Sequence, residues 1–169
     1  DPSPEFSGVT RQLVTARRKD GVPVSAALYL PAGYRATQGR LPFVLWTDPR
    51  EFRSLKNASQ ITGSPHRFIR PPHASYLHFL LAGYGVLHAP AIPIVSEAGP
   101  LTREQYLAQL VAGATAAVEK VVALGVADPK RIGIGGDTAG GSTAAYLLEH
   151  SDLFRAGIAE AAAPSDSGG

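Results

Sequence analysis

The chain has 169 residues, of which 44% are hydrophobic and 18% charged, and its formal net charge is +2. That length supports one domain with a real core, and that balance excludes a disordered chain. With no cysteine, disulfides and thiolate metal sites are excluded, while the compartment is left open. No methionine is present either. The N-terminal DPSPEFSG is not a signal peptide; the chain reads as a processed product or a fragment, with DPSPEF resembling a vector scar. The apolar runs are expected to be too short to span a bilayer. Residues 1–70 hold 11 Lys/Arg against 5 Asp/Glu, and the remainder 5 against 9. Ordinary solvated arginines account for the basic half. No basic run interleaves aromatics, so no nucleic acid partner is expected.

Two β-type runs open the chain, TRQLVTARRK (10–19) and VPVSAALYL (22–30), and Lys19-Asp20-Gly21 between them is a hairpin signal. LPFVLWT (41–47) is a continuous apolar run of the kind found in strands buried on both faces. Residues 48–72 read as a long polar loop, a length often tied to function. HASYLHFLLAGY (73–84) predicts a helix with Tyr76, Leu77, Leu80 and Leu81 on one face and Gly83 as its stop. GVLHAP (85–90) reads as a short strand and IPIVSEAGP (92–100) as loop.

Thr102 and Gln105 form a capping box. The helix from 102 to about 124 presents Leu107, Leu110, Val111, Ala114, Val118, Val121 and Val122 as a stripe, and Gly125 and Asp128-Pro129 end it. RIGIGG (131–136) predicts a strand, 139–150 a helix, and AGIAEAAAP (156–164) a weaker strand. After the antiparallel hairpin the order is β-α-β-α-β-α-β. Such alternation implies a mostly parallel sheet with right-handed crossovers and helices on both faces.

The stretch GIGGDTAGGSTAAYLLEH (133–150) carries the chemistry. Gly136-Asp137-Thr138-Ala139-Gly140 has the layout of the nucleophile turn of α/β-hydrolases, G-x-S-x-G, with threonine for serine, and it stands between a strand and a helix as that motif requires. Three readings are open. Thr138 is a working nucleophile, although threonine nucleophiles mostly use an N-terminal amine as base. In another register Asp137 is the nucleophile. Or the turn persists for the fold and Thr138 is inert, which is the leading reading. A nucleophile in such a turn takes a positive φ, which strains a β-branched residue by on the order of 1–3 kcal/mol.

GGDTAGGSTAAYLLEH resembles the elbow of plant glutamyl endopeptidases, members of the prolyl-oligopeptidase group of serine peptidases, whose elbow reads G-G-H-S-Y-G. The letters GDTAGG also match the GDSAGG of hormone-sensitive-lipase-type esterases. The rest of the chain is closer to the peptidase. RKDGVPVSAALYLPAGY resembles its hairpin, EFRSLKNASQITGSPHRF (51–68) its distinctive EFKS…GSPxxF loop, and APAIPIVSEAG and GVADPKRIGIGG match as well. The similarity runs from about Val14 to Ala159. It implies an α/β class, a truncated α/β-hydrolase fold, with a flexible segment or scar at 1–9, a partial hydrolase domain at 10–164 and a disordered tail at 165–169. A plastid location is implied by the family alone.

The departures from the family pattern decide what function is expected. The catalytic serine is replaced by Thr138, the preceding His by Asp137 and the following Tyr by Ala139, whose backbone N–H takes the oxyanion position. Asp48 stands in the loop near the oxyanion site, where it would set negative charge against negative charge. The triad acid and histidine follow the sixth strand in this fold. His66, His73, His78, His88 and His150 all precede that point, and they read as loop, helix-surface or helix-end residues. None has metal-ligand spacing, and no metal or other cofactor is expected. The implied function is a catalytically silent hydrolase-like module with a structural or interaction role. The alternative is a segment of an active peptidase with Thr138 at the nucleophile position. An esterase of the GDSAGG type is disfavoured, because WTDPRE is not the HGGG-like stretch it needs. A protein partner, or the remainder of the hydrolase domain, is expected against the edge strand 156–164.

Overall fold

The computed structural model describes residues 4–52 and 75–160, with the backbone alone for residues 48–52 and 89–91. Strands β1 (Thr10–Arg17) and β2 (Pro23–Leu30) pair antiparallel, Thr10 opposite Leu30. Their turn is closed by Arg18 N–H donating to the Val22 carbonyl at 2.9 Å and by Gly21, whose φ of 88° suits glycine. β3 (Leu41–Phe52), β4 (Gly85–Val95), β5 (Ala127–Asp137) and β6 (Ala156–Glu160) complete a sheet of order β1-β2-β4-β3-β5-β6. β2 meets β4 antiparallel, and every pairing among β3, β4, β5 and β6 is parallel. This is the mixed sheet that the alternation of elements implies.

Helix α1 (Arg103–Ala123) starts at the capping box: Thr102 Oγ1 accepts from Gln105 N–H at 3.2 Å, and Gln105 Oε1 accepts from Thr102 N–H at 2.9 Å. It buries Leu110, Ala114, Val118 and Val121, one stripe at helical spacing. α1 and α2 (Ala139–His150) pack on the same face of the sheet over Leu28, Phe43, Leu45, Ile132 and Ile134. The other face holds a 3-10 helix (Tyr76–Ala82) with Ala27, Tyr29 and Val86 beneath it. Phe6, in a short 3-10 turn at Pro4–Phe6, packs against the same cluster and meets the His78 ring edge-on.

Several boundaries differ from the sequence reading. β3 continues through Phe52 instead of ending at 47, and β4 continues to Val95 instead of ending at 90, because the two extensions pair with each other: Pro49 opposite Ile92, Phe52 opposite Val95. β5 begins at Ala127 instead of 131. Within 73–84 the helix is 3-10, so residues three apart eclipse: Leu77 and Leu80 are buried and Leu81 is exposed. The most family-specific loop, 51–68, lies outside the described residues apart from Glu51 and Phe52. α1 is also longer and more apolar than the reading of short apolar runs allowed: it has 21 residues, and an 18-residue window within it reaches a mean hydropathy of 1.2, enough by length and composition for a bilayer. Its buried stripe against the sheet is the ordinary role of a core helix.

Candidate active site at the turn after the fifth strand

Thr138 joins β5 to α2 with φ 51° and ψ −110°, and among the described residues it is the only non-glycine with positive φ. The turn can close this sharply because its flanking glycines touch. A Cβ placed on Gly136 would lie 2.4 Å from the backbone of Gly140, and one on Gly135 would lie 2.5 Å from the Trp46 ring. The strained residue is held from both sides. Thr138 N–H donates to the Glu160 carbonyl at 2.9 Å, which ties the turn to β6, and the Thr138 carbonyl accepts from Ser142 N–H at 3.1 Å, which starts α2. Asp137, Thr138 and Ala139 are all exposed.

A cavity of about 340 Å³ opens beside the turn, bounded by Asp137, Thr138 and Ala139 on one side and by Trp46, Thr47, Tyr76 and His88 on the other. The topology brings them together. β3 lies between β4 and β5, so Thr47, just before the register shift in β3, His88 on β4 and Asp137 at the end of β5 come together. Trp46 and Tyr76 stack with centroids 5.6 Å apart, and Tyr76 and His88 lie 4.6 Å apart. Tyr76 Oη is 3.0 Å from His88 Nδ1. Burial holds the Tyr76 hydroxyl well above the ordinary phenol range, with Tyr29 adding to the shift and Arg11 opposing it, so it is neutral at physiological pH. Thr47 is 1% exposed, and its hydroxyl has no hydrogen-bond partner among the described residues.

Thr138 and Ala139 thus stand at a strand-to-helix turn, with Asp137 on the same wall. Asp48 sits on β3 where its register against β4 shifts, between Thr47 and Pro49; its side chain is not among those described. Among the described residues no hydrogen bond reaches the Thr138 hydroxyl, and none groups as a metal site. The residue that sequence reasoning missed is His88, given no role at the turn although its segment reads as a strand, and found on β4 against this cavity. The apolar alternation of GVLHAP was the available signal: Val86 and His88 share one face of β4. His78 is on the 3-10 helix, its ring nitrogen 2.9 Å from the Ser75 carbonyl, and His150 ends α2 against Tyr146. His66 and His73 lie outside the described residues.

The comparisons with known proteins agree with this geometry. The model of the Prolyl oligopeptidase family (Peptidase_S9) matches residues 102–164. The chain is 41% identical over 164 residues to a probable glutamyl endopeptidase, chloroplastic, of Arabidopsis thaliana and to one of the same name from Oryza sativa subsp. japonica. These alignments cover 96% of this chain but 17% and 18% of the relatives, so the chain spans less than a fifth of their length. Among solved structures, Porphyromonas gingivalis dipeptidyl peptidase 4 superimposes with a TM-score of 0.64 at 20% identity, over 90% of this chain and 20% of that one, a likeness of fold. Sheet order, elbow and sequence together match those of the prolyl oligopeptidase family, on an α/β-hydrolase fold.

Proposed function

We propose that this chain forms part of the catalytic domain of a prolyl-oligopeptidase-type hydrolase, with Thr138 at the nucleophile position and the Ala139 N–H at the oxyanion position. The observation that supports it most is the Thr138 backbone. A φ of 51° at a β-branched residue is strained, and such strain persists where the surroundings over-determine it, most often at working sites. In the reaction the hydroxyl oxygen attacks a peptide carbonyl carbon, its proton passes to a base, and the amine leaves with that proton. Water then releases the acyl group by the reverse sequence. Ala139 begins α2, so its N–H has no acceptor within the helix and lies at the positive end of the helix dipole, suited to a developing oxyanion. The relatives' printed names bring endopeptidase chemistry and a plastid location to this chain as part of the proposal.

One observation favours the silent reading instead: the Thr138 hydroxyl has no hydrogen-bonded base among the described residues, and Asp137 places a carboxylate beside it. The module would then act by binding. β6 is exposed along its whole length, and a groove of about 330 Å³ beside it, lined by Val44, Phe79, Tyr84, Ile134 and Ile158, is a surface for more of the domain or for a protein partner.

A fluorophosphonate probe on the native full-length protein separates the two readings. An adduct mapped to Thr138 supports the hydrolase. Absence of labelling in the wild type, with labelling regained in Thr138→Ser, supports a site whose nucleophile has been silenced.

A further inference from the structure

The residues that β3 and β4 contribute to the Thr138 cavity stand where both strands leave the main sheet. Beyond Trp46, β3 has no pairing with β5 among the described residues, and beyond His88, β4 has none with β2. What continues is a two-stranded parallel ribbon, 49–52 against 92–95. Two strands by themselves are marginal in water, and Pro49 and Pro93 contribute no N–H. Helix α1 closes the free edge. Gln109 Oε1 accepts from Val95 N–H at 2.8 Å, and Gln109 Nε2 donates to the Val95 carbonyl at 2.9 Å, as a neighbouring strand would. One turn further along α1, Gly113 admits Ile92: a Cβ there would lie 2.6 Å from Ile92 Cγ2. The hairpin adds the buried Arg18, whose guanidinium donates to the Pro93 carbonyl at 2.8 Å and to Gln109 Oε1 at 3.3 Å, and pairs with Asp20.

We propose that Gln109 and Arg18 are positioning residues for the Thr138 site: they fix the edge of this ribbon and, through it, the β3 backbone that leads out of the cavity wall at Thr47. The proposal rests on the reading of the Thr138 turn as the reactive site. Burial of Ile92 and Ile94 is non-directional and holds β4 down on the core. The hydrogen bonds from Gln109 and Arg18 are directional, and they set where each backbone group of the ribbon edge lies. Phe52 stands opposite Val95 and Pro49 opposite Ile92, so the position set at Val95 is passed to β3 as far as the register shift after Thr47. Thr47 lines the cavity together with Thr138 and Ala139, whereas Gln109 and Arg18 do not line it and act only through the strands. A misplacement of about 1 Å that starts far from the chemistry can cost about a hundredfold in rate.

Gln109→Leu, made in the native full-length protein, removes both bonds to Val95 at similar volume. Hydrogen exchange read by mass spectrometry is expected to rise about tenfold or more in peptides covering 50–52 and 94–95, as the loss of two hydrogen bonds implies, and to stay at wild-type rates in β1 and α2. Gln109→Glu keeps the acceptor for Val95 N–H and Arg18 but loses the donor to the Val95 carbonyl. Its rise is expected to be smaller, and it carries the test if Gln109→Leu does not fold. Thr115→Val is the control: its hydroxyl is bonded within α1, to the Val111 carbonyl at 2.7 Å, and its loss should leave the ribbon unchanged. Fluorophosphonate labelling at position 138 is followed in wild type or, where wild type is inert, in Thr138→Ser. It is expected to slow by about tenfold or more with Gln109→Leu and to be unchanged with Thr115→Val. An exchange rise shared by β1 and α2, or none in the ribbon, overturns the proposal. A rise confined to the ribbon with an unaltered labelling rate overturns the positioning role and leaves the hydrolase reading standing. No labelling in either background removes the hydrolase reading, and the positioning role with it.

Discussion

Gly136 and Gly140 meet backbone to backbone across the turn that holds Thr138. A methyl group on Gly136 would lie 2.4 Å from both the carbonyl carbon and the carbonyl oxygen of Gly140. Neither neighbour is the end of a flexible side chain, so the collision cannot be relieved by a rotamer change. Overpacked cores lose about 1–3 kcal/mol, and Gly136→Ala is expected at or above the top of that range. Gly133→Ala is the control, because its Cβ would meet nothing closer than the Ala156 carbonyl at 3.4 Å. Urea unfolding of both variants checks this. A Gly136→Ala cost no larger than that of Gly133→Ala would show that the turn is looser than its geometry implies.

Thr138 should be less stable than glycine in its own position. Its φ of 51° with ψ of −110° costs a β-branched residue on the order of 1–3 kcal/mol, against the roughly 0.5–1 kcal/mol that glycine loses through its freer unfolded chain. Thr138→Gly is therefore expected to stabilise the fold by about 1 kcal/mol, while Thr138→Ala, which keeps a Cβ, stays within about 1–2 kcal/mol of wild type. Thermal melts of the pair, beside fluorophosphonate labelling of the wild type, show whether stability was given up at a working residue. Destabilisation by Thr138→Gly would mean that the threonine side chain holds the turn.

The parts of the fold that were legible have short-range signals. The hairpin turn at Lys19-Asp20-Gly21, the Thr102–Gln105 box and the 136–140 elbow are each written within a few residues, and each is found in place. The parts that were not legible depend on distant pairing. Pro49 and Pro93 make their segments read as loop, yet residues 49–52 and 92–95 form a parallel ladder that neither segment announces alone. His88 joins the Thr138 cavity because β3 lies between β4 and β5, a fact of strand order that its sequence neighbours do not carry. Arg17 and Arg18 are adjacent and identical in type, but the first is exposed and the second is 4% exposed.

That buried Arg18 makes the fold sensitive to acid. Its guanidinium donates to the Asp20 carboxylate, to the Pro93 carbonyl at 2.8 Å and to Gln109 Oε1 at 3.3 Å. The Arg18 hydrogen bond, helped by the Val22 N–H and opposed by partial burial, holds the Asp20 carboxyl below its ordinary value. A carboxyl lowered on folding contributes stability above its unfolded value, about 3.9, and that contribution disappears as pH falls through the lower folded value. Wild type should thus lose stability below about pH 4, and Asp20→Asn should lose less across the same window while being less stable at pH 7. Because Asp20 is half exposed, solvent screening keeps the effect modest. Parallel pH profiles of the two proteins would remove Asp20 from the account.

Ile158 tests whether the β6 edge is covered in the native protein. It is 48% exposed and borders the groove formed with Val44, Phe79, Tyr84 and Ile134, on a strand whose five residues are all exposed among those described. If a further strand, helix or partner occupies that groove, Ile158 becomes a buried aliphatic residue. A lysine there then loses roughly 1.5–3 kcal/mol of apolar burial and desolvates a charge as well. If the groove faces water, the same change stays within about 0.5 kcal/mol, as surface substitutions usually do. The full-length gene product is expected to show the larger cost for Ile158→Lys, with slow amide exchange along 156–160, and the 169-residue chain the smaller cost, with fast exchange. Equal costs below about 0.5 kcal/mol in both would establish β6 as a free edge and remove the case for a binding surface there.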